Sequence, residues 1–226
     1  MVDILAIGAH PDDIEFGAGG ILAKAVAEGQ TVALCDLTLG QKGSNGTPKV
    51  RKQEALAAAE LLGAEREFLD FEDCEVTDCC EGRTELARVI RHYKPRLVLA
   101  PMFDGVRNHP DHLAAGMLAR HACRYARFGN ILPKIPTHTV DGILHYPRWA
   151  CDADFLVDVT AHVDQWKALI HCHRSQLQSR PYLDWVLTGA EAAGITIGCQ
   201  YAQGLIKANP IAIDDILQVS RGTREL

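Results

Sequence analysis

The sequence predicts an α/β protein with a Rossmann-like, doubly wound and mostly parallel sheet that carries helices on both faces. Apolar segments alternate with helical segments at intervals of about 30 residues, which is typical of parallel β-α-β units. The predicted strands are short apolar runs, as expected for strands that are buried on both faces. The 226 residues are 47% hydrophobic, which is enough for one core, so we expect a single domain over residues 1–226.

The first half of the chain alternates regularly. Its predicted strands cover residues 3–9, 31–37, 66–71 and 96–101, and its predicted helices cover 14–29, 49–62 and 82–93. Gly29 and Gly63 mark the ends of the first two helices, and Pro95 follows the third. A loop rich in glycine, serine and asparagine runs between the second strand and the second helix.

The second half has a weaker pattern. A helix is predicted at 110–126, strands at 140–146 and 154–159, helices at 161–173 and 181–193, and an irregular tail beyond. The segment 128–139, which contains Pro133 and Pro136, is the best candidate for a hinge. We expect Trp166 and Trp185 to pack in the core rather than to stack on a sugar.

Charge and hydropathy exclude several classes of protein. The net charge of −6 and the absence of a Lys/Arg run argue against binding to nucleic acid or to an anionic membrane surface. Residues 1–8 resemble a strand rather than a signal peptide, and no apolar run approaches about 20 residues, so we expect a cytoplasmic location. The eight cysteines include no Cys-x-x-Cys pair, and we expect free thiols.

Two similar polar motifs follow predicted strands. His10-Pro11-Asp12-Asp13 comes directly after the first strand, and His109-Pro110-Asp111-His112 follows the fourth strand after a loop. In the common strand order 3-2-1-4, the direction of winding reverses between strands 1 and 4, and ligands bind at the carboxyl ends of the strands there. The two motifs are therefore expected to meet, although about 100 residues separate them along the chain.

The residue types in the motifs favour a metal. Imidazole and carboxylate groups suit a zinc site that keeps one position open for water. His10 and Asp13 are three residues apart, as are His109 and His112, so each pair shares one face of a helical turn. Proline suits the first turn of a helix. We therefore predict one catalytic metal site, with zinc as the metal.

A dinucleotide site is the main competing interpretation of the first turn. The residues that would suit it are Gly8, Gly17, Gly19, Gly20 and Asp36. Their spacing does not give Gly-x-Gly-x-x-Gly directly after the first strand, and Asp12 and Asp13 would repel a phosphate. Each motif alone could also be a capped helix start. The metal interpretation depends on the two motifs occurring together.

These motifs resemble those of the LmbE-like, or PIG-L, family of zinc-dependent N-deacetylases. Four more segments resemble the branch that deacetylates N-acetylglucosaminyl malate in bacillithiol biosynthesis: 44–47, 51–55, 174–176 and 198–204. The chain departs from that branch in three places. Asn108 separates Arg107 from the second motif, and Leu39 and Asn45 stand where branch members often carry arginine.

The resemblance implies roles for the motif residues. Three side chains would bind one zinc ion (Zn2+) per chain: His10, Asp13 and His112. Asp12 resembles the general base, His109 resembles a second catalytic group, and Asp111 resembles a residue that orients His109.

The resemblance also implies roles outside the motifs. Tyr201 resembles a tyrosine that contacts the carbonyl oxygen in the transition state, and Arg51 and Arg107 resemble residues that bind a substrate carboxylate. It further implies a homo-oligomer, either a trimer or a hexamer, that acts on a small N-acetyl sugar.

The predicted reaction is zinc-dependent hydrolysis of the N-acetyl group of an N-acetylglucosamine conjugate, namely N-acetylglucosaminyl malate. The leaving amine must be protonated, and the sequence leaves open whether Asp12 or His109 donates that proton. Two alternatives are a deacetylase of another N-acetyl sugar or thiol conjugate and a non-catalytic, metal-dependent sugar-binding protein. Asp12 argues against the last alternative because a binding protein needs no base.

Overall fold

A seven-stranded sheet forms the centre of the protein. The computed structural model describes residues 1–105, 108–147 and 153–219. Within these ranges the strands are β1 (Ile4–Gly8), β2 (Val32–Asp36), β3 (Glu65–Phe68), β4 (Leu97–Pro101), β5 (Gly142–Tyr146), β6 (Phe155–Asp158) and β7 (Ala202–Lys207). The helices are α1 (Asp13–Ala27), α2 (Pro48–Leu62), α3 (Cys80–Tyr93), α4 (Pro110–Ala126), α5 (Val163–Cys172) and α6 (Tyr182–Ile197).

The strand order is β3-β2-β1-β4-β5-β7-β6. The first five strands are parallel, and β7 runs antiparallel to both β5 and β6. The predicted fold class is confirmed, and so is the order 3-2-1-4 that places the first and fourth strands side by side. The prediction of an irregular tail is wrong, because β7 lies within the sheet, between β5 and the edge strand β6.

Each central strand contributes to two hydrophobic cores. Along β1, Ile4 and Ala6 pack towards α1, α2, α5 and α6, whereas Leu5 and Ile7 pack towards α3 and α4. This arrangement explains why the strands are continuous apolar runs. Trp166 of α5 is 1% exposed and lies in the first core, as predicted.

Local signals set the helix ends. The Thr47 hydroxyl accepts a hydrogen bond from the backbone N–H of Val50 at the start of α2, and Pro48 occupies the first turn. The helix ends at Gly63, whose φ of 74° favours glycine. Across the described ranges, every helix is too short or too polar to span a lipid bilayer.

As the sequence predicted, six cysteines are free thiols in the structure. These are Cys35, Cys74, Cys79, Cys80, Cys123 and Cys172. The Cys199 thiol donates a hydrogen bond to the carbonyl oxygen of Tyr201 over 3.3 Å. Cys151 lies outside the described residues.

A buried arginine fastens the predicted hinge segment to α3. Arg91 is 1% exposed, and its guanidinium donates to five backbone carbonyl oxygens at distances between 2.7 and 3.4 Å. The acceptors are those of Tyr125, Ala126, Phe128, Leu132 and Ile135. Segment 128–139 is therefore held at its start and at its middle, and a hinge there would have to break these bonds.

Replacing Arg91 by Met is expected to lower the free energy of unfolding by about 3 kcal/mol, because five buried or partly buried carbonyl oxygens would lose a donor. Urea unfolding followed by circular dichroism measures the change. Arg124→Met is the matched control, because Arg124 is exposed near the end of α4 and its loss should cost about 0.5 kcal/mol or less. Equal losses in the two variants would contradict a clamping role for Arg91.

Candidate metal centre

The two His-Pro-Asp motifs meet at the carboxyl edge of the sheet. The first motif links β1 to α1, and the second lies at the start of α4, after β4. Because β1 and β4 are adjacent and parallel, both turns emerge at the same edge. The ring centroids of His10 and His112 are 5.3 Å apart, so the structure brings the predicted ligands together.

Asp13 lies between the two histidines. Its Oδ1 is 3.0 Å from His112 Nε2, and its Oδ2 is 3.4 Å from His10 Nδ1. One ligand atom from each residue lies within 4.8 Å of the others, which is compatible with a single ion at ligand distances of about 2.0–2.2 Å. Burial alone would raise the pKa of Asp13, but His112 and His10 hold it well below its usual range. The carboxylate is therefore ionised, as a ligand must be.

The other ring nitrogen of His10 faces two carboxylates. Its Nε2 lies 3.1 Å from Asp73 Oδ1 and 3.2 Å from Asp111 Oδ2. Both contacts favour a proton on Nε2, so Nδ1, the nitrogen that faces Asp13, is the one that would bind an ion. Metal-binding histidines characteristically donate their second N–H to a carboxylate in this way. The surroundings of His10 therefore fit a metal ligand.

Asp111 differs from its predicted role. Its carboxylate lies against His10 and accepts the backbone N–H of Cys74 over 2.7 Å, instead of orienting the His109 ring. The link to His109 is made by the backbone, because the N–H of Asp111 donates to His109 Nδ1 over 3.2 Å. The difference arises because Asp111 lies in the first turn of α4, where its backbone N–H donates to the side chain of His109, the N-cap residue. The Asp111 side chain itself is buried, with the residue 1% exposed.

His109 lies in the wall of the site as a neutral imidazole. Burial lowers its pKa, and the positive charge of His10 lowers it further. Since Nδ1 accepts the Asp111 amide, the single proton of the neutral ring is on Nε2. His109 also belongs, with His10 and Asp111, to a second group whose ligand atoms lie within 4.8 Å of one another.

Asp12 adopts a strained conformation beside the ligands. Its φ is 135°, a value that non-glycine residues rarely adopt outside functional sites. Its Oδ1 accepts a hydrogen bond from Arg51 Nη2 over 3.0 Å, and the side chain borders the central cavity. Burial raises the pKa of Asp12 to about 6, although Arg51 opposes the rise. Among the residues described, neither converging group of ligand atoms includes Asp12.

Arg51 bonds to Asp12 and also lines the cavity, and its role as a substrate carboxylate binder stays a prediction. The residue is 4% exposed, and Nη2 also donates to the carbonyl oxygen of Pro11 over 2.9 Å. Gly40, at φ 64°, makes room for the guanidinium, because a Cβ there would lie 1.7 Å from Nη1. The other predicted carboxylate binder, Arg107, lies outside the described residues.

Tyr201 packs away from the cavity, contrary to its predicted contact with a substrate carbonyl. It is 8% exposed and belongs to the core between the sheet and α5. Its backbone N–H and carbonyl bond to Thr160, which fixes the corner before β7. The Lys167 ammonium lies 5.9 Å from the centre of the ring. The three residues that follow Tyr201 line the cavity instead, because they form the start of β7.

Asp73 is a site residue that the sequence analysis missed. Besides its contact with His10, it accepts the backbone N–H of Lys42 over 2.7 Å and so connects the site to the loop before α2. The signal was present, since Asp73 lies beyond the carboxyl end of β3, on the same edge as the motifs.

An ionic cluster lies buried beneath the site. Arg66 of β3 contacts Asp36 through two hydrogen bonds of 2.6 and 2.9 Å and also bonds to Glu15. Glu15 lies 3.1 Å from His173 Nε2, and all four side chains are at most 3% exposed. Asp36 is therefore unable to bind a ribose, which agrees with the sequence argument against a nucleotide.

A cavity of about 460 Å3 opens onto the site, a size typical of small-molecule sites. Its lining includes Asp12, Asp13 and the histidines of both motifs. Residues of α6 and of the start of β7 line the same cavity. One of them is Trp185, which is 41% exposed, whereas the sequence predicted that it would pack in the core. The cavity therefore joins candidate reactive groups to a space large enough for the rest of a substrate.

Comparison with known proteins gives consistent results. Residues 5–123 match the family model described as PIG-L, GlcNAc-PI de-N-acetylase. The conserved protein TT1542 of Thermus thermophilus is 35% identical, with a TM-score of 0.88 over 96% of this chain and 99% of that one. The diacetylchitobiose deacetylase of Thermococcus kodakarensis is 28% identical over 89% of this chain and 81% of its own length. The 4-oxalmesaconate hydratase of Pseudomonas putida is also 28% identical, over 94% of this chain and 91% of its own.

Proposed function

The chain belongs to the GlcNAc-PI de-N-acetylase (PIG-L) family, and from that premise we propose that it is a metal-dependent deacetylase of N-acetylglucosamine-containing substrates. One observation carries the proposal. A buried carboxylate, Asp12, is held by Arg51 beside the group formed by His10, Asp13 and His112 without belonging to it. A site with ligands and a separate base is suited to hydrolysis.

We propose that His10, Asp13 and His112 hold a single zinc ion. This set is favoured over the second group because His10 Nε2 faces two carboxylates and is best satisfied by keeping its proton. A zinc ion there would polarise an acyl carbonyl and lower the pKa of a water molecule. Two histidines and one carboxylate also leave a position open, as catalytic zinc sites do.

Asp12 and His109 supply the proton transfers and the charge stabilisation in this proposal. Asp12 accepts a proton from the attacking water while Arg51 holds its carboxylate in place. The water oxygen bonds to the acetyl carbon, and His109 donates its Nε2–H to the carbonyl oxygen as negative charge develops. Asp12 then passes its proton to the nitrogen as the C–N bond breaks, which gives a free amine and acetic acid, and the acid loses its proton to solvent to become acetate.

We propose more specifically that the substrate is N-acetylglucosaminyl malate of bacillithiol biosynthesis. The support for this substrate is the resemblance of segments 44–47, 51–55, 174–176 and 198–204 to that branch of the family. Another N-acetyl sugar or thiol conjugate is the alternative within the same reaction. The relative named as a hydratase supports a second candidate, since hydration also adds water to a substrate. The homo-oligomer and the cytoplasmic location stay predictions.

Chelation of the purified chain is expected to lower free-amine release from N-acetylglucosamine conjugates by about a hundredfold or more, because Lewis-acid catalysis contributes several kcal/mol. Added Zn2+ should restore the rate. His112→Ala is expected to lose both metal and activity. His121→Ala is the matched control on the same helix, because His121 pairs with Asp78 over 2.7 Å, away from the ligand groups.

Activity that resists the chelator, or no amine release from any N-acetyl sugar by metal-loaded protein, would overturn the deacetylase proposal. The substrates for the screen are N-acetylglucosamine, N,N'-diacetylchitobiose and N-acetylglucosaminyl malate. Water addition to 4-oxalmesaconate by the same preparation, without amine release, would establish the hydratase candidate instead.

A further inference from the structure

The tip of a turn between β3 and α3 reaches the metal centre. The backbone N–H of Glu75 donates to the carbonyl oxygen of Glu72 over 3.1 Å, so Asp73 and Cys74 form the tip. Asp73 is 3% exposed, and an aspartate is rarely buried to this extent without partners that hold it. The proposed mechanism gives neither tip residue a role, so the burial of this carboxylate has to be explained by its contacts.

Each oxygen of the Asp73 carboxylate has its own partner. Oδ1 lies 3.1 Å from His10 Nε2, and Oδ2 accepts the backbone N–H of Lys42 over 2.7 Å. The Lys42 amide belongs to the loop before α2, and its hydrogen bond fixes one side of the carboxylate. Because the two oxygens belong to one planar group, that bond also fixes the oxygen that faces His10.

The second residue of the tip acts through Asp111. Cys74 has a φ of 64°, which is uncommon for a residue other than glycine. In this conformation its backbone N–H donates to Asp111 Oδ2 over 2.7 Å, and the same oxygen lies 3.2 Å from His10 Nε2. Adjacent residues of one turn therefore supply one carboxylate to His10 and anchor the other.

Two other roles for Asp73 fit the structure less well. Among the described residues, neither group of converging ligand atoms includes Asp73, so it is not placed as a metal ligand. The described residues that line the cavity do not include it either, so it is not placed to bind a substrate. Its direct contact with the site is the one with His10.

We propose that Asp73 is a positioning residue, which accepts the Nε2–H of His10 and leaves Nδ1, the nitrogen that faces Asp13, to bind the ion. The inference rests on the proposed function, and specifically on the ligand set of His10, Asp13 and His112. A carboxylate that accepts the second N–H of a metal-binding histidine fixes its tautomer and its ring orientation, and its loss typically weakens metal binding by about 10- to 100-fold.

Asp73→Ala tests the proposal through the zinc affinity of the metal-free full chain, measured by competition with a chromophoric chelator. The dissociation constant for Zn2+ should rise by about 10- to 100-fold. At saturating Zn2+, the KM for an N-acetylglucosamine conjugate should stay unchanged, because Asp73 is absent from the described lining of the cavity.

Asp73→Asn is a second variant, which keeps the size of the side chain and so limits any effect on folding. Its amide nitrogen must face one of the two N–H donors, at His10 or at Lys42, so it should also weaken zinc binding. Circular dichroism of the metal-free proteins shows whether each variant is folded.

The neighbours of Asp73 separate its effect from those of charge and of the thiol. Glu72→Gln is the matched control, because it removes a negative charge from the adjacent, exposed position. Cys74→Gly removes the thiol but keeps the backbone N–H, and glycine readily adopts a φ of 64°. Both variants should bind Zn2+ as tightly as the unchanged protein.

Unchanged zinc affinity in folded Asp73→Ala and Asp73→Asn would overturn the proposal. So would an equal loss of affinity in Glu72→Gln, which would show an effect of charge alone, or a loss in Cys74→Gly, which would make the thiol a ligand. A raised KM with unchanged zinc affinity would make Asp73 a substrate-binding residue instead.

The zinc measurement is independent of the test of the proposed function. If Asp73→Ala and Asp73→Asn lose affinity as expected but the metal-loaded protein releases amine from no N-acetyl sugar, the deacetylase proposal fails and the positioning role stands. If the unchanged protein releases amine and the variants bind Zn2+ normally, the positioning role fails and the deacetylase proposal stands.

Discussion

Replacing Asp12 by Asn is expected to lower kcat by about 10²- to 10⁴-fold, the range that a positioned general base contributes. The amide keeps the shape of the side chain but accepts no proton from water. Asparagine has the size and branching of aspartate, so the backbone conformation at this position, with its φ of 135°, should be retained. Because Asp12 belongs to neither group of converging ligand atoms, the metal content should stay at the level of the unchanged protein.

Steady-state kinetics and metal analysis of the same preparation measure the two effects separately. Asp70→Asn is the matched control, because Asp70 is exposed after β3 and its substitution should change neither quantity. A kcat within about threefold of the unchanged protein would remove Asp12 as the base. Loss of the metal in Asp12→Asn would instead make Asp12 a ligand.

Arg66→Met is expected to have the largest effect on stability, lowering the free energy of unfolding by about 3–5 kcal/mol. Arg66 is the cation that bonds directly to the buried carboxylates of Asp36 and Glu15. Burial alone would raise the pKa of Glu15, but Arg66 and His173 hold it at about 2. Without Arg66, these buried carboxylates would lose the positive charge that offsets their burial. They would destabilise the folded protein until they become protonated.

Because these carboxyl groups can be protonated, the loss of stability in Arg66→Met should depend on pH. In the unchanged protein, the folded pKa of Glu15 lies below its unfolded value, so Glu15 stabilises the protein at neutral pH and loses that effect as pH falls towards about 2. In Arg66→Met the carboxyl groups take up protons at higher pH on folding. The stability difference between the two proteins should therefore shrink as the pH is lowered.

Urea unfolding at pH 8 and pH 5 measures both the loss and its pH dependence. Arg88→Met is the control, because Arg88 is 34% exposed and pairs with Glu67 and Glu85 over 2.7 Å at the surface. Its loss should cost about 1 kcal/mol or less. Similar losses in Arg66→Met and Arg88→Met, or a loss in Arg66→Met that does not vary with pH, would contradict the role given to the buried cluster.

The sequence predicted the parallel half of the fold and the meeting of the motifs because both follow from local patterns. Apolar runs, helix ends and the edge rule for parallel strands were enough to place His10 beside His112. The strand β7 was missed because Gly204 and Gln203 interrupt its apolar pattern, and because it pairs with strands far away in the chain. Pairing of this kind depends on tertiary contacts that no local pattern records.

Side-chain orientation was the other limit. The sequence placed Asp111 next to His109, and only the turn of α4 shows that its carboxylate points at His10. The family resemblance likewise implied that Arg51 binds a substrate carboxylate, and it did not show the contact with Asp12. The partner of Arg51 is a residue 39 positions away, and the closeness of the two depends on how that loop packs.

The reaction centre and the cavity wall formed by α6 and the end of β5 come from different parts of the chain. The proposed ligands, Asp12 and His109 all lie within residues 5–123, whereas α6 and the end of β5 lie beyond. Substitutions in α6 can therefore change which substrates the cavity accepts without changing the residues of the reaction centre. For directed evolution, α6 is the element to randomise, and the two His-Pro-Asp turns are the elements to leave unchanged.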